Sequence, residues 1–159
     1  MLTVGTHAFI PISQMSPNQY SKGFTGQKGS ACLASVYTMV ERGLSGNSTI
    51  PIDKYFVGGR ALKPTNLTLG QSTSLTASHV GPQLLLIHGS ADAATGGRED
   101  HWMLGTYIGN VGGTRIIVAD DPYSGVQVTI DATTGAVVNP PQDYKPINFI
   151  ATGMETISY

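Results

Sequence analysis

The chain carries one cysteine, Cys32, and four histidines, His7, His79, His88 and His101. A thiol attacks a carbonyl as the thiolate, so the first question is what would ionise Cys32. From Ser30 to Arg42 there is neither Gly nor Pro, and Cys32, Val36, Met39 and Val40 fall at i, i+4, i+7 and i+8. That spacing predicts a helix with one apolar face. Ser30 is the expected N-cap and Gly43 the expected stop. Cys32 then sits in the first turn, where backbone N–H groups carry partial positive charge. A helix N-terminus and a neighbouring imidazolium can lower a cysteine pKa from about 8.5 to roughly 3.5–7.5. The same N–H groups can hold a developing oxyanion. Taken alone, a lone cysteine is more often a small buried apolar residue, so its partners decide.

His7 falls in an expected first strand, His79 at the end of a weak helix, and His88 at the end of an apolar run. His101 starts an expected strand, His101 to Ile108, directly after the polar loop Gly89 to Asp100. A histidine at a strand start, facing a loop-lined cleft, is well placed as a general base. A third group must orient the imidazole and hold its tautomer. Asp120-Asp121-Pro122 follows the expected strand Thr114 to Ala119. If that strand pairs with His101 to Ile108 through a turn at Gly112-Gly113, its far end returns beside His101. Asp121 can then reach His101, with Asp120 as the alternative. No two histidines have the i, i+4 spacing of a helical metal site, and there is no second cysteine. No metal and no cofactor are expected.

These residues need a scaffold. Apart from the helix at Ser30 to Arg42, the expected elements are mostly strands. They are Gln83 to His88, His101 to Ile108, Thr114 to Ala119, Val126 to Ile130, and a last one from Ile147 to Ile150 that extends toward Ile157. Asp53 to Val57 reads as a short helix or strand, and Ser72 to His79 as a short helix. One helix followed by a run of strands implies an antiparallel sheet, hence α+β. At 159 residues the chain fits one domain spanning 1–159. Hydrophobic residues at 40% against 12% charged argue against disorder. A net charge of -1 and no basic stripe make nucleic acid and anionic membrane poor partners. Met1 to Ser13 has no signal-peptide character and no long apolar run exists, so a soluble protein is expected, either cytoplasmic or exported by a route without a signal peptide. The paired glycines at 58–59, 96–97 and 112–113 read as turns.

Three segments together resemble the papain-like superfamily, and within it the C39-like peptidases. They are Gln27-Lys28-Gly29-Ser30-Ala31-Cys32-Leu33-Ala34-Ser35 with the helix that follows; Gly81-Pro82-Gln83-Leu84-Leu85-Leu86-Ile87 with His101-Trp102-Met103-Leu104; and Ile116 through Gly125, containing Asp120-Asp121-Pro122. The order Cys, His, Asp is the family's order. The resemblance implies a papain-like fold in which the helix bearing the nucleophile packs on an antiparallel β-sheet. It also implies that Cys32 is the nucleophile, His101 the general base and acid, Asp121 the orienting carboxylate, and Gln27 the oxyanion donor beside the Cys32 N–H. Two positions depart from the family's pattern. Leu33 stands where glycine is usual, and Gln27 lies five residues before Cys32 rather than six. Gln19 or a backbone group is the alternative donor. Residues 1–20 and 43–79 carry no part of the resemblance.

A Cys-His-Asp site performs acyl transfer. The leading expectation is a cysteine peptidase acting on a protein or peptide substrate, as the resemblance implies at small or double-glycine sites. One alternative uses the same triad as a glutamine deamidase or transglutaminase. The other is a non-catalytic peptide-binding module, against which the presence of all three residues counts. The resemblance extends to interbacterial toxin effectors, whose partner would be a cognate immunity protein.

Overall fold

The computed structural model describes residues 1–13, 30–57, 60–73, 83–92, 98–123, 125–139 and 150–158. Among these residues it is a mixed α+β structure: one long helix with antiparallel strand pairings throughout. The chain opens with a small hairpin, β1 (Leu2–Val4) and β2 (His7–Phe9), and then enters helix α1 (Ser30–Ser45). A 3₁₀ turn (Ile52–Tyr55) leads into a second small pair, β3 (Phe56–Val57) and β4 (Arg60–Ala61). The segment Asp53 to Val57 is thus part turn and part strand. The strands of the main sheet follow: β5 (Thr68–Thr73), β6 (Leu84–Asp92), β7 (Arg98–Val111), β8 (Thr114–Asp120), β9 (Gln127–Asp131), β10 (Val137–Asn139) and β11 (Ile150–Ser158).

Their spatial order is β10-β9-β8-β7-β6-β11-β5. From β6 to β10 each strand pairs with its successor, so this part is a meander. β11 returns to pair with β6 on one side and β5 on the other. The β7–β8 hairpin closes at Gly112-Gly113, whose φ values of 58° and 89° suit a turn that side chains resist.

Alternation along the strands divides the apolar residues between two faces. Leu84, Leu86, Leu104, Val118 and Ile157 pack with Val36, Met39 and Val40 of α1. Leu85, Ile87, Met103, Ile117, Ala119 and Met154 form a separate cluster with Val128 and Ile130. The helix is buried well beyond one stripe, because every residue from Ala34 through Glu41 is inaccessible. The sheet takes one side of it, while β2 and the 3₁₀ turn with β3 and β4 take others.

Several boundaries differ from the sequence reading. Ser30 is the first helical residue rather than the cap. Gly43 does not stop the helix. A Cβ there would lie 2.1 Å from Phe9 Cδ1, so Gly43 is where the helix and β2 approach closely. The stop is Gly46, at φ 72°, whose N–H donates to the Arg42 carbonyl at 2.9 Å. Ser72 and Thr73 belong to strand β5, while 74–79 lie outside the described residues. β6 and β7 run on to pair Asp92 with Arg98, so most of the expected loop Gly89 to Asp100 is strand. Backbone pairing does not require apolar side chains, so polar strand ends read as loop. Of the last strand, Ile150–Ser158 is observed and 147–149 lie outside the described residues. β10, at three residues, gave no periodic signal.

Candidate active site

The site forms where the start of α1 meets β7 and the chain leaving β8. Cys32 lies in the first turn of α1, as its spacing required, and is 4% exposed. Its position places its N–H among those that no intrahelical carbonyl can take. His101 does not start its strand. It is the fourth residue of β7, which begins at Arg98. The register explains why it nevertheless borders an opening. β7 pairs with β8 only as far as Leu104 against Asp120, so Arg98 to Met103 extends past the end of β8. The chain turns at that end, and the first residue of the turn is Asp121.

The three side chains meet there. His101 Nδ1 lies 3.8 Å from Cys32 Sγ, across 69 residues of sequence. His101 Nε2 lies 2.9 Å from Asp121 Oδ1. Asp121 is itself fixed by its turn. The Tyr123 N–H donates to the same Oδ1 at 2.8 Å, the Asp121 N–H donates to the Val126 carbonyl at 3.0 Å, and the Gly125 N–H donates to the Asp121 carbonyl at 2.7 Å. His101 and Asp121 are 7% and 1% exposed, so these interactions lie away from water.

Burial pushes the His101 imidazole down. The charge and hydrogen bond of Asp121, with the Cys32 sulfur on the other nitrogen, outweigh burial and raise it to about 10. A protonated ring donates from both nitrogens, Nε2 to the carboxylate and Nδ1 toward sulfur. That arrangement puts a proton donor beside the sulfur, which is what acyl transfer through a cysteine requires.

Asp120 and Asp121 separate clearly. Asp121 meets the imidazole, whereas Asp120 ends β8 between Leu104 and Gln127 and is wholly buried. Burial raises the Asp120 carboxyl to about 6, against the opposing effects of the chain's amino group and the Leu2 N–H. Gln27, Gln19, His79 and Gly81-Pro82 lie outside the described residues. His88 lies opposite Trp102 in the β6–β7 register, with the two rings stacked at 4.1 Å and 7°. His7 lies on β2, with its ring 6.4 Å from that of Phe9. Among the described residues no group of three or more His, Cys, Asp or Glu could hold a metal ion, and no helix is long and apolar enough to cross a membrane.

Sequence reasoning missed the Tyr123 N–H as a support for Asp121. The signal was present, since an aspartate followed two residues later by a backbone N–H is an Asx-turn pattern. It also missed the burial of Asp120, which strand alternation at the end of β8 could have suggested. No protein-family model matches this chain, and no curated protein or solved structure matches it either.

Proposed function

We propose that the protein is a cysteine peptidase of papain-like architecture that cleaves a protein substrate through an acyl-enzyme on Cys32. The observation that supports this best is the unbroken line from sulfur through imidazole to carboxylate, 3.8 Å and then 2.9 Å, at a helix start. In the proposed cycle the Cys32 thiolate adds to the scissile carbonyl carbon. His101 then gives its Nδ1 proton to the departing amine as the C–N bond breaks, leaving a thioester. Water attacks the thioester while His101 takes its proton. Collapse frees the acid and restores the ion pair. Asp121 keeps the ring in the orientation that aims Nδ1 at sulfur. The Cys32 N–H is the proposed oxyanion donor, with Gln27 as the second.

The test is to incubate wild-type and Cys32→Ala protein with a panel of polypeptides and read intact masses. Fragments that appear only with wild type support a peptidase. The small mass gain of amide-to-acid conversion would instead make the same triad a deamidase. Turnover by Cys32→Ala at the wild-type rate would sink both. An effector role with an immunity protein as partner rests on the family resemblance alone. Loss of toxicity in Cys32→Ala supports it, and a wild-type protein harmless in several bacterial hosts counts against it.

A further inference from the structure

Residues 1–13 carry no part of the family resemblance, yet they meet the turn that holds Asp121 in two places. The first is Asp120. β1 packs against β7 and β8, and Asp120, the last residue of β8, is 0% exposed. Among the described residues no side chain hydrogen-bonds either of its carboxyl oxygens. The groups that offset the burial of its charge both come from the start of the chain, the Met1 amino group and the Leu2 N–H. The second place is Gly125, whose N–H closes the turn on the Asp121 carbonyl at 2.7 Å. A Cβ on Gly125 would lie 2.8 Å from the Ser13 Cβ, so the backbone there runs directly against Ser13. The N-terminal segment therefore touches both the residue before Asp121 and the residue that closes its turn.

A buried carboxyl with no side-chain partner is costly, and an apolar side chain of similar size would remove that cost. Its position one residue from the group that orients His101 suggests a role.

We propose that Asp120 is a positioning residue: together with Ser13 it seats the N-terminal segment against the end of β8 and thereby fixes the Asp121 turn on His101. The importance of that seat rests on the acyl-transfer reading of Cys32. With the seat loosened, the Asp121 turn can drift. His101 then holds its proton less firmly, and the sulfur faces a neutral ring for more of the time.

The experiment uses the full chain and needs no substrate. Asp120→Leu fills similar space and removes the buried carboxyl, so folding should survive, but the acceptor is lost. Asp120→Asn keeps an oxygen for the Leu2 N–H. Glu41→Gln, on the same helix as Cys32 but away from the site, reports general loosening. Two quantities are read: the rate of Cys32 alkylation by iodoacetamide at neutral pH, and the downfield proton resonance of the His101 Nε2–H on Asp121. Asp120→Leu should alkylate about tenfold more slowly and lose the resonance, while Asp120→Asn and Glu41→Gln stay within about twofold of wild type and keep it. Wild-type behaviour of Asp120→Leu in both measurements overturns the proposal. So does equal slowing by Glu41→Gln, or a folded Asp120→Asn without the resonance. A protein that passes these measurements yet cleaves nothing refutes the peptidase reading and leaves this one standing.

Discussion

Helix α1 buries charged groups near both of its ends, and the two ends are built differently. At its start, Cys32 meets His101, which meets Asp121, and both come from far along the chain, one from β7 and one from the turn after β8. Toward its end, Glu41 is 6% exposed and meets local partners. Lys54 Nζ lies 2.9 Å from Glu41 Oε1, Asn66 Nδ2 donates to the same oxygen at 3.4 Å, and the neighbouring Arg42 Nε donates to the Ile50 carbonyl at 2.8 Å. The far end pins the 3₁₀ turn and the segment after it to the helix. Half of the Lys54 side chain is open to water, so that ion pair is screened and contributes little. The near end encloses an imidazole and a carboxylate almost entirely, so its charges interact strongly. It also exists only when β7 and β8 are both in place. The near end is thereby tied to the pairing of β7 with β8, while the far end needs only residues within the next 25 of the sequence.

The sharpest way to break this contrast is to remove one charge from each end. Asp121→Ala should lower turnover of a cleaved polypeptide by about 10⁴-fold, the scale seen when a triad loses the group that orients its histidine. Glu41→Gln should leave turnover within about twofold, since it changes stability rather than alignment. The measurement is kcat/KM for both variants at a temperature where both are folded. A loss with Glu41→Gln approaching that of Asp121→Ala would mean that the two ends act as one unit.

The second contrast lies in pH. The His101 pKa is raised from 6.5 to about 10, so its contribution to stability is fully present below pH 6.5 and is lost as pH rises through about 10. Its upper limit is about 5 kcal/mol. Asp120 is raised from 3.8 to about 6, so its contribution is fully present below pH 3.8 and is lost as pH rises through about 6, with an upper limit of about 3 kcal/mol. Urea unfolding from pH 4 to 10 should show stability falling in two steps. Asp120→Asn should erase the lower step, and Asp121→Asn should flatten the upper one. A wild-type profile that is level from pH 7 to 10 would show that the imidazole is not held by Asp121 in the way its geometry implies.

Much of the near end was legible in the sequence because it depends on local rules. The spacing of Cys32, Val36, Met39 and Val40 marked the helix and put the cysteine in its first turn. The glycines at 112–113 marked the hairpin that returns Asp121 to His101. The depth of burial was not legible. Ser35, Thr38 and Glu41 are polar, so the sequence shows a one-sided helix, and only the packing of β2 and the 3₁₀ turn makes those positions inaccessible. Gly43 misled for a related reason. In a sequence it looks like a stop, but its lack of a side chain serves the Phe9 ring. Gly43→Ala should therefore destabilise by about 1–3 kcal/mol through overpacking, although alanine is the better helix former. A chemical denaturation midpoint that rises with Gly43→Ala would show that Phe9 moves aside freely.

The smallest effect tests whether the far end is as weakly coupled as its exposure implies. Lys54→Met keeps the stem of the side chain and removes only the charge. Glu41 would then keep Asn66 at 3.4 Å, while its second oxygen already has no hydrogen-bond partner among the described residues. The expected cost is about 1 kcal/mol, mostly from leaving a buried carboxylate with less compensation. Adding Glu41→Gln should recover most of that cost, because the uncompensated charge disappears with it. The double-mutant cycle of these two changes, measured by urea unfolding, should return a coupling of less than about 1 kcal/mol. A coupling several times larger would make the Glu41–Lys54 pair a buried electrostatic anchor comparable to His101–Asp121. The helix would then be gripped by charge at both ends rather than at one.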